Sequence, residues 1–556
     1  MSPKLLGEQY QIDKETCLSW TVEKCPAQEA CPIKMDMEGY IRAIAEGKFK
    51  EALDITREVT AFSATLGRVC HHPCEEKCKR DMIEEPVAIR ELKRFAADYE
   101  LRNMAEKPTP YPRAREEKVA IIGSGPAGLT AALDLVKQGY GVTVFEASPV
   151  AGGMLAKTIP DFMLPKEIVE IEVGRIAQLG VEIKTNTPVG KDLTLDDLWK
   201  QGYKAIFLAT GMPGSLSLKI TGVDLVGVHT ALPILESAKL GERVELGEKV
   251  TVIGGGNVAI DVARTVLRWG VKEVNVTCLE SRAEMPAFEW ETLRAVDEGV
   301  KIHCSLAPQR FRAGDGKKVA GVDFKRVEAT WLDTEGRIRW SLREGPGAEY
   351  SMDTDSVIIA IGQATNLSYL GDSGLDISNR GTISVDPYTL ATNRPGVFAG
   401  GDVVKGAGTV VESIAHGHEA AISIDRYLNG KDIKEGRGAE AVRRVVTGED
   451  KTPRVMSPRE RQAVFTLPVG RRIRSFEEVE LGFTEEEAIA EAERCLKCKT
   501  CDLCIAAFGC IALIWEPNEA LATKSPQIDL DVCIGCEFCP QICPYESLIK
   551  VKGMVK

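Results

Sequence analysis

The sequence predicts an α/β chain in which two nested units of parallel sheet and helix lie between a helical, cysteine-rich N-terminal domain and a small cysteine-rich C-terminal domain. Three observations predict it. A strand, glycine-rich turn and helix pattern occurs twice, opening at Lys118 and at Lys249. Cysteines crowd the two ends, from Cys17 to Cys78 and from Cys495 to Cys543, leaving only Cys278 and Cys304 between them. At 556 residues the chain is too long for one core and divides into domains.

Composition excludes several classes. A net charge of -12 argues against a nucleic-acid partner. No uncharged apolar run reaches the ~18 residues a membrane helix needs. Met-Ser-Pro-Lys at the start lacks the charged-then-apolar layout of a signal peptide. Cysteines in short-spaced arrays point to metal binding in a reducing compartment, so a cytoplasmic location is the default expectation.

Residues 1–112 are helical in pattern: Tyr40, Ile41, Ile44, Ala45, Phe49, Ala52 and Leu53 fall on one helical face. The prolines of Lys107-Pro-Thr-Pro-Tyr-Pro-Arg113 mark a linker. The first α/β unit then opens with Val119-Ala-Ile-Ile-Gly123-Ser124-Gly125-Pro126-Ala127-Gly128, an apolar strand running into a glycine turn and an Ala/Leu-rich helix. Glycines there let the backbone approach a pyrophosphate at the helix N-terminus. The next strand, Val142-Thr-Val-Phe-Glu146, ends in a carboxylate able to hold a ribose diol. A glycine turn alone is a weak signal, and a turn with no ligand is the bland alternative; strand, helix and acidic residue together specify a dinucleotide site of Rossmann type.

The pattern repeats at Val250-Thr-Val-Ile-Gly254-Gly-Gly256-Asn257-Val-Ala259, and its following strand ends in Glu280. Two copies suggest one bound flavin and one nicotinamide, so that a hydride can pass between them; two copies used only for packing is the alternative. From about 433 to 485 the chain is charged and patternless. The run Arg471-Arg-Ile-Arg474 reads there as a solvated strap rather than a nucleic-acid site. The helical segment Thr484–Arg494 leads into the tail, its early acidic residues suiting the helix dipole.

The tail carries Cys498-x2-Cys501-x2-Cys504-x5-Cys510 and Cys533-x2-Cys536-x2-Cys539-x3-Cys543-Pro544. Zinc usually takes two separated pairs, and disulfides need no three-residue beat. Three cysteines at every third position wrap one [4Fe–4S] cube, while the fourth of each array ligates the other cube. That assigns Cys498, Cys501, Cys504 and Cys543 to one cluster and Cys533, Cys536, Cys539 and Cys510 to the other.

Residues 1 to about 430 resemble the glutamate synthase small-subunit family, shared with dihydropyrimidine dehydrogenase and the large subunit of ferredoxin:NADP oxidoreductases. The resemblance is carried by Gly67-Arg-Val-Cys70-His-His-Pro-Cys74-Glu-Glu-Lys-Cys78, Val87-Ala-Ile-Arg-Glu-Leu-Lys-Arg-Phe95, Ile159-Pro-Asp-Phe-Met-Leu-Pro165, Ala209-Thr210-Gly211, Glu284-Met-Pro286 and Gly396-Val-Phe-Ala-Gly-Gly401-Asp402. It implies that the first unit holds FAD, through Gly123–Gly128, Glu146, Gly153, Thr210, Gly211, Gly401 and Asp402, with a helix starting near Val411 aimed at the flavin. The second unit, interrupting the first, would bind the nicotinamide nucleotide through Gly254, Gly256, Asn257, Ala259, Glu280 and Arg282. The tail is similar to the ferredoxin domain that ends the large subunit of indolepyruvate ferredoxin oxidoreductases. Expected boundaries are 1–112 for a helical iron–sulfur domain, 113–235 with 355–432 for the FAD domain, 236–354 for the NAD(H) domain, 433–485 for the strap and 486–556 for the two-[4Fe–4S] domain.

The chain departs from these relatives at its N-terminus. Their domain supplies seven cysteines plus a carboxylate or amide for two clusters; this one offers Cys17, Cys25, Cys31, Cys70, Cys74 and Cys78. Trp20 stands where a Cys-x-x-Cys partner would fall, and Lys93 at the place of the non-cysteine ligand. One N-terminal cluster is expected, and a second stays open. His71 and His72 are read as hydrogen-bonded rather than ligating, Cys278 and Cys304 as small buried hydrophobes, and Cys495 as redundant packing rather than a ligand borrowed by the N-terminal site.

The expected function is electron transfer: a hydride passes between NAD(H) and FAD, and single electrons between FAD and [4Fe–4S] clusters, to or from a partner subunit or ferredoxin. Such a hydride step requires no catalytic side chain, and none is assigned. Two other readings are a glutamate synthase small subunit proper and a non-catalytic iron–sulfur scaffold. NADH is expected over NADPH because Glu280 stands where NADPH-using relatives carry arginines. The strap is expected to hold the tail away from the flavin core, so that a cut near Phe483 removes only the tail clusters.

Overall fold

The computed structural model describes residues 9–14, 25–103, 107–190, 193–334, 338–437, 459–497, 510–518, 523–537, 539–542 and 548–551. The chain forms two compact units. One is Lys107–Arg437 with Thr466–Leu481; the other comprises the described parts of Met1–Glu106, Gly438–Phe465 and Gly482–Lys556.

The larger unit is doubly wound. Its first sheet is parallel, in the order Val397–Ala399, Tyr203–Leu208, Lys118–Ile122, Gly141–Phe145, Glu182–Lys184. The second, also parallel, runs Lys301–His303, Glu273–Thr277, Lys249–Ile253, Ser356–Ile359, Val228–Thr230. Apolar runs such as Val119-Ala-Ile-Ile are buried on both faces, as central parallel strands require. A four-stranded antiparallel layer, Leu306–Ala313, Val319–Leu332, Ile338–Leu342 and Glu349–Asp353, is attached to the second unit. Its long strand alternates buried Val322 and Phe324 with more exposed neighbours. The chain returns to the first sheet only at Val397, so the second unit is inserted in the first. That insertion is wider than the expected 236–354, because Val228–Thr230 and Ser356–Ile359 both pair in the second sheet.

Residues 466–481 do not form a solvated strap. Leu467 N donates to Val479 O, Val479 N donates to Phe162 O, and the Phe476 ring packs near Phe162. Within the basic run, Arg472 is buried and its Nε lies 3.4 Å from Glu298 Oε1. Glu298, with a fully buried side chain, also receives Arg264 (3.0 and 2.9 Å) and Arg268 (2.7 and 3.0 Å). The charge pattern showed the cations but not the buried anion that gathers them.

In the smaller unit, the expected helical face is divided between Met37–Ala45 and Phe49–Val59, broken at Gly47, whose φ is +72°. Tyr40, Ile41, Ile44, Phe49, Ala52 and Leu53 are buried as their spacing requires. Helices Ser63–Val69 and Ile89–Arg102 cross closely at Gly67, where a Cβ would lie 2.6 Å from Arg94 Cα. Helix Glu485–Ala492, opened by a Thr484/Glu487 capping box, packs against Met37–Ala45 and Ile89–Arg102. Strand Gln9–Ile12 pairs antiparallel with Leu548–Val551, and Leu513–Asn518 pairs with Thr523–Ile528. Both ends of the chain therefore fold into one unit, and the tail does not begin as a separate body. No described helix is long and apolar enough to cross a membrane.

Burial raises the Glu298 pKa, but the guanidinium groups of Arg268 and Arg264 overcome it and hold the carboxyl down at about 2. Glu298→Gln leaves Arg268 without a carboxylate and Arg264 with Glu291 alone, and should cost roughly 3–5 kcal/mol in denaturant unfolding. Because the folded pKa is depressed, the wild-type contribution is full above the ordinary glutamate range and is lost as pH falls toward 2; the variant should lack that acid dependence.

Candidate functional site

The first glycine turn lies at the C-terminal edge of the first sheet, where open α/β sheets bind their ligands. Gly123 has φ +103°, and a Cβ there would stand 2.4 Å from Ala209 O, next to Thr210. The helix Pro126–Lys137 follows at once, held close because Gly128 sits directly on Gly123 O. The position a Cβ would take on Gly125 is open, leaving room for a phosphate to reach the backbone. Gly153 abuts Gly125 from the opposite side. Glu146, 8 % exposed, closes the turn: Ser124 N (3.0 Å) and Oγ (2.5 Å) donate to one carboxylate oxygen and Ser148 N (2.8 Å) to the other.

The remaining expected FAD residues converge here from distant sequence. Thr210 Oγ1 lies 3.1 Å from Tyr369 OH, and Gly211 turns at φ +64°. Gly401 N donates to His416 Nδ1 at 3.0 Å, and a Cβ on Gly401 would meet Ala127. Asp402 accepts from Ser413 Oγ (3.3 Å); burial pushes its carboxyl up to about 6 despite that bond. Helix Val410–Leu428 begins one residue before Val411, capped by Thr409 and Glu412. Its Gly417 lies flat on the first helix, 2.5 Å from Ala127 O at the Cβ position. The positive end of this helix thus stands beside Asp402 and the glycine turn.

The second turn repeats the plan. Gly254 has φ +141°, with Ala360 O 2.2 Å from where a Cβ would be; Gly256 faces open space, and Ala259 is buried in the helix Asn257–Arg268. Asn257 Oδ1 accepts from Phe288 N (2.9 Å), tying the helix start to the Met285-Pro286 loop. The Glu280 carboxylate lies 3.1 Å from the Gly255 Cβ position, against the turn itself. Arg282 is engaged by Glu289 through two bonds of 2.8 and 3.0 Å. Cys278 and Cys304 pack into the second unit's core, as expected of small hydrophobes, and they touch each other. Burial first, then Cys304 and Glu280, push the Cys278 thiol up, so it stays protonated near neutrality.

In the smaller unit the cysteines fall into groups. Cys31, Cys70 and Cys74 surround the Tyr40 hydroxyl, which donates to Ile89 O at 2.8 Å. Burial raises the Cys74 thiol and the nearby buried Lys93 opposes that rise. The His72 ring lies 3.2 Å from Cys70 O. Cys510 is brought together with Cys533, Cys536 and Cys539; burial, then the neighbouring thiols, raise Cys539 to about 12. Cys17, Trp20, Cys498, Cys501, Cys504 and Cys543 lie outside the described residues. Cys495, expected as redundant packing, lines a cavity with Cys25 and Cys78. Among the described residues no three histidine, cysteine or carboxylate side chains are drawn tightly enough to chelate a single metal ion. A cubane, with its ligands on separate iron atoms, needs thiolates spread around a cavity instead.

Residues 117–420 match the pyridine nucleotide–disulphide oxidoreductase family, more than half of the chain. The chain belongs to that family. Residues 3–105 match the dihydropyrimidine dehydrogenase domain II, 4Fe–4S cluster family. Among curated proteins, the beta subunit of the NADP(+)-dependent formate dehydrogenase of Moorella thermoacetica is 43 % identical over 85 % of this chain and 70 % of its own length. The beta subunit of the NADPH-Fe(3+) oxidoreductase of Geobacter sulfurreducens is 37 % identical over 85 % of this chain and 75 % of its own. PreT, a subunit of the NAD-dependent dihydropyrimidine dehydrogenase of Escherichia coli, is 34 % identical over 75 % and 94 %. The chain is an NAD(P)H-dependent flavin and iron–sulfur oxidoreductase that transfers electrons.

The two turns should fail separately. Gly123→Ala forces a methyl into Ala209 O and should yield protein without visible flavin absorbance. Gly254→Ala should keep its flavin but lose at least tenfold in the rate at which NAD(P)H bleaches it, followed by stopped-flow absorbance at the flavin band.

Proposed function

We propose that this chain is the nucleotide-oxidising or nucleotide-reducing subunit of a larger redox complex, exchanging hydride between NAD(H) and FAD and single electrons with [4Fe–4S] clusters that face a partner subunit or ferredoxin. Bound flavin supplies the conversion between two-electron and one-electron chemistry. The chain's own residues position and tune. Gly123 to Gly128 and Glu146 would hold the dinucleotide pyrophosphate and ribose, with Gly153 completing the floor. The first turn of Val410–Leu428 would set its N–H groups toward negative charge on the isoalloxazine edge, beside Asp402. Neither turn offers a nucleophile or a general acid, and a direct hydride step needs none.

The two-array tail is read as a ferredoxin-like domain with two clusters. Its support is the meeting of Cys510 with Cys533, Cys536 and Cys539, the cross-array set that the spacing specifies. The names of the relatives, beta subunits or paired subunits of dehydrogenases and reductases, support a partner that houses the terminal chemistry. A scaffold with a vestigial flavin site is disfavoured by two glycine turns that keep their open cradles and carboxylates.

The preferred nucleotide is NADH, although two of the relatives are named for NADP(H). The observation carrying this is Glu280, whose carboxylate lies against the glycine turn where a ribose diol would sit and a 2′-phosphate would be repelled. Arg282, the nearby cation, is occupied by Glu289. The kcat/KM for flavin reduction should favour NADH by about tenfold or more, ~1.4 kcal/mol of discrimination. Glu280→Ala should narrow the ratio with little change in flavin content; a wild-type preference for NADPH would refute the reading.

A further inference from the structure

We propose that Cys495, from the segment that precedes the tail arrays, is a thiolate ligand of an N-terminal iron–sulfur cluster, sharing it with Cys25 and Cys78. The inference rests on residues 3–105 being a 4Fe–4S domain and adds a ligand from outside that domain.

The three cysteines line one cavity, formed between the helix Pro26–Ala30, the start of Met37–Ala45, the loop after Cys78 and the chain just beyond Glu485–Ala492. Each sulfur accepts main-chain N–H bonds. Gln28 N donates to Cys25 Sγ at 3.4 Å, the N–H groups of Arg80 and Val87 to Cys78, and that of Lys497 to Cys495. A thiol used only for packing has no need of such donors; a thiolate bound to iron does, because they stabilise its charge and set the cluster potential. Without iron, the burial that raises the Cys25 and Cys495 thiols to about 12 would leave them as inert thiols.

The position of Cys495 is fixed by its neighbour. Arg494, 1 % exposed, donates to Glu491 (2.6 Å), Glu84 (3.1 Å), Glu85 O (2.6 Å), Pro86 O (3.3 Å) and Arg459 O (3.0 Å). Glu84, Glu85 and Pro86 lie on the loop that runs from Cys78 to the helix Ile89–Arg102, so the same bonds that dock the segment bring Cys495 to Cys78. Cys31, Cys70 and Cys74 form a separate group around Tyr40, so that among the described N-terminal cysteines Cys25 and Cys78 meet at this cavity. Cys495 supplies the third thiol. Glu38 is buried on the same wall.

Anaerobically purified full-length chain carrying Cys495→Ala, Cys25→Ala or both is compared with wild type for iron, acid-labile sulfide, flavin and the EPR spectrum after dithionite reduction. Each single variant should lose one cluster, about four iron and four sulfide, with flavin unchanged. The double variant should lose no more than either single one. Cys495→Ser, nearly isosteric, should keep a cluster with an altered EPR signal. Wild-type iron and spectra in Cys495→Ala and Cys495→Ser would overturn the proposal, as would an additive loss of two clusters in the double variant, which would place Cys495 in the tail. Unchanged iron in Cys25→Ala would instead mean that the N-terminal site holds no cluster through this cavity.

Discussion

The smaller unit depends on a buried ion network that joins the two ends of the chain. Glu491, fully buried, accepts Arg494 at 2.6 Å, Ala88 N at 2.7 Å and Gln462 N at 2.8 Å. Glu75 does the same work on the other side, accepting Arg90 N at 2.9 Å and Arg461 at 2.7 Å. Ions buried this deeply are tolerated because their oxygens and guanidinium groups are matched, and removing any one would strand a charge out of water. The network stitches residues 84–91 to a segment some 400 positions later. Cys78 and Cys495, two of the cavity's cysteines, hang from the pieces it joins.

The larger unit is governed by a different constraint, close backbone approach. Gly123, Gly128, Gly254 and Gly417 each stand where a Cβ would collide with a main-chain oxygen at 2.0–2.5 Å. Those contacts draw helix onto strand and helix onto helix, and they leave Gly125 and Gly256 facing open space. Two carboxylates, Glu146 and Glu280, then sit against the turns from the next strand. The open space at Gly125 and Gly256 follows from packing alone, before any ligand is considered.

What the sequence made legible is what short segments encode. The strand, turn, helix and terminal acid of each dinucleotide unit span about thirty residues, and each signal depends on its neighbours. Cys510 lies near Cys533, Cys536 and Cys539, the grouping the array spacing led one to expect. The missed features are all long-range. Arg472 looked solvated because its partner Glu298 lies in another element, and charge patterning cannot show a buried anion. The inserted unit looked narrower because its first and last strands in sequence, Val228–Thr230 and Ser356–Ile359, are only three and four residues long. The place of Cys495 beside Cys78 was not legible because Arg494 and Glu84, whose pairing sets it, are 410 residues apart. The expected strap looked solvated for the same reason: residues 466–481 pack through Val479, Phe476 and Arg472, whose partners Phe162 and Glu298 lie far away in sequence.

Amide hydrogen exchange in the full-length protein tests this account most directly, comparing wild type with Arg494→Ala. The account predicts that exchange accelerates across residues 84–92, where Ala88 N loses an ordered acceptor, while the strand Lys118–Ile122 keeps its protection. Unchanged protection at 84–92 would show that the loop does not depend on the C-terminal segment, and the claim that the two ends of the chain fold as one unit would fail.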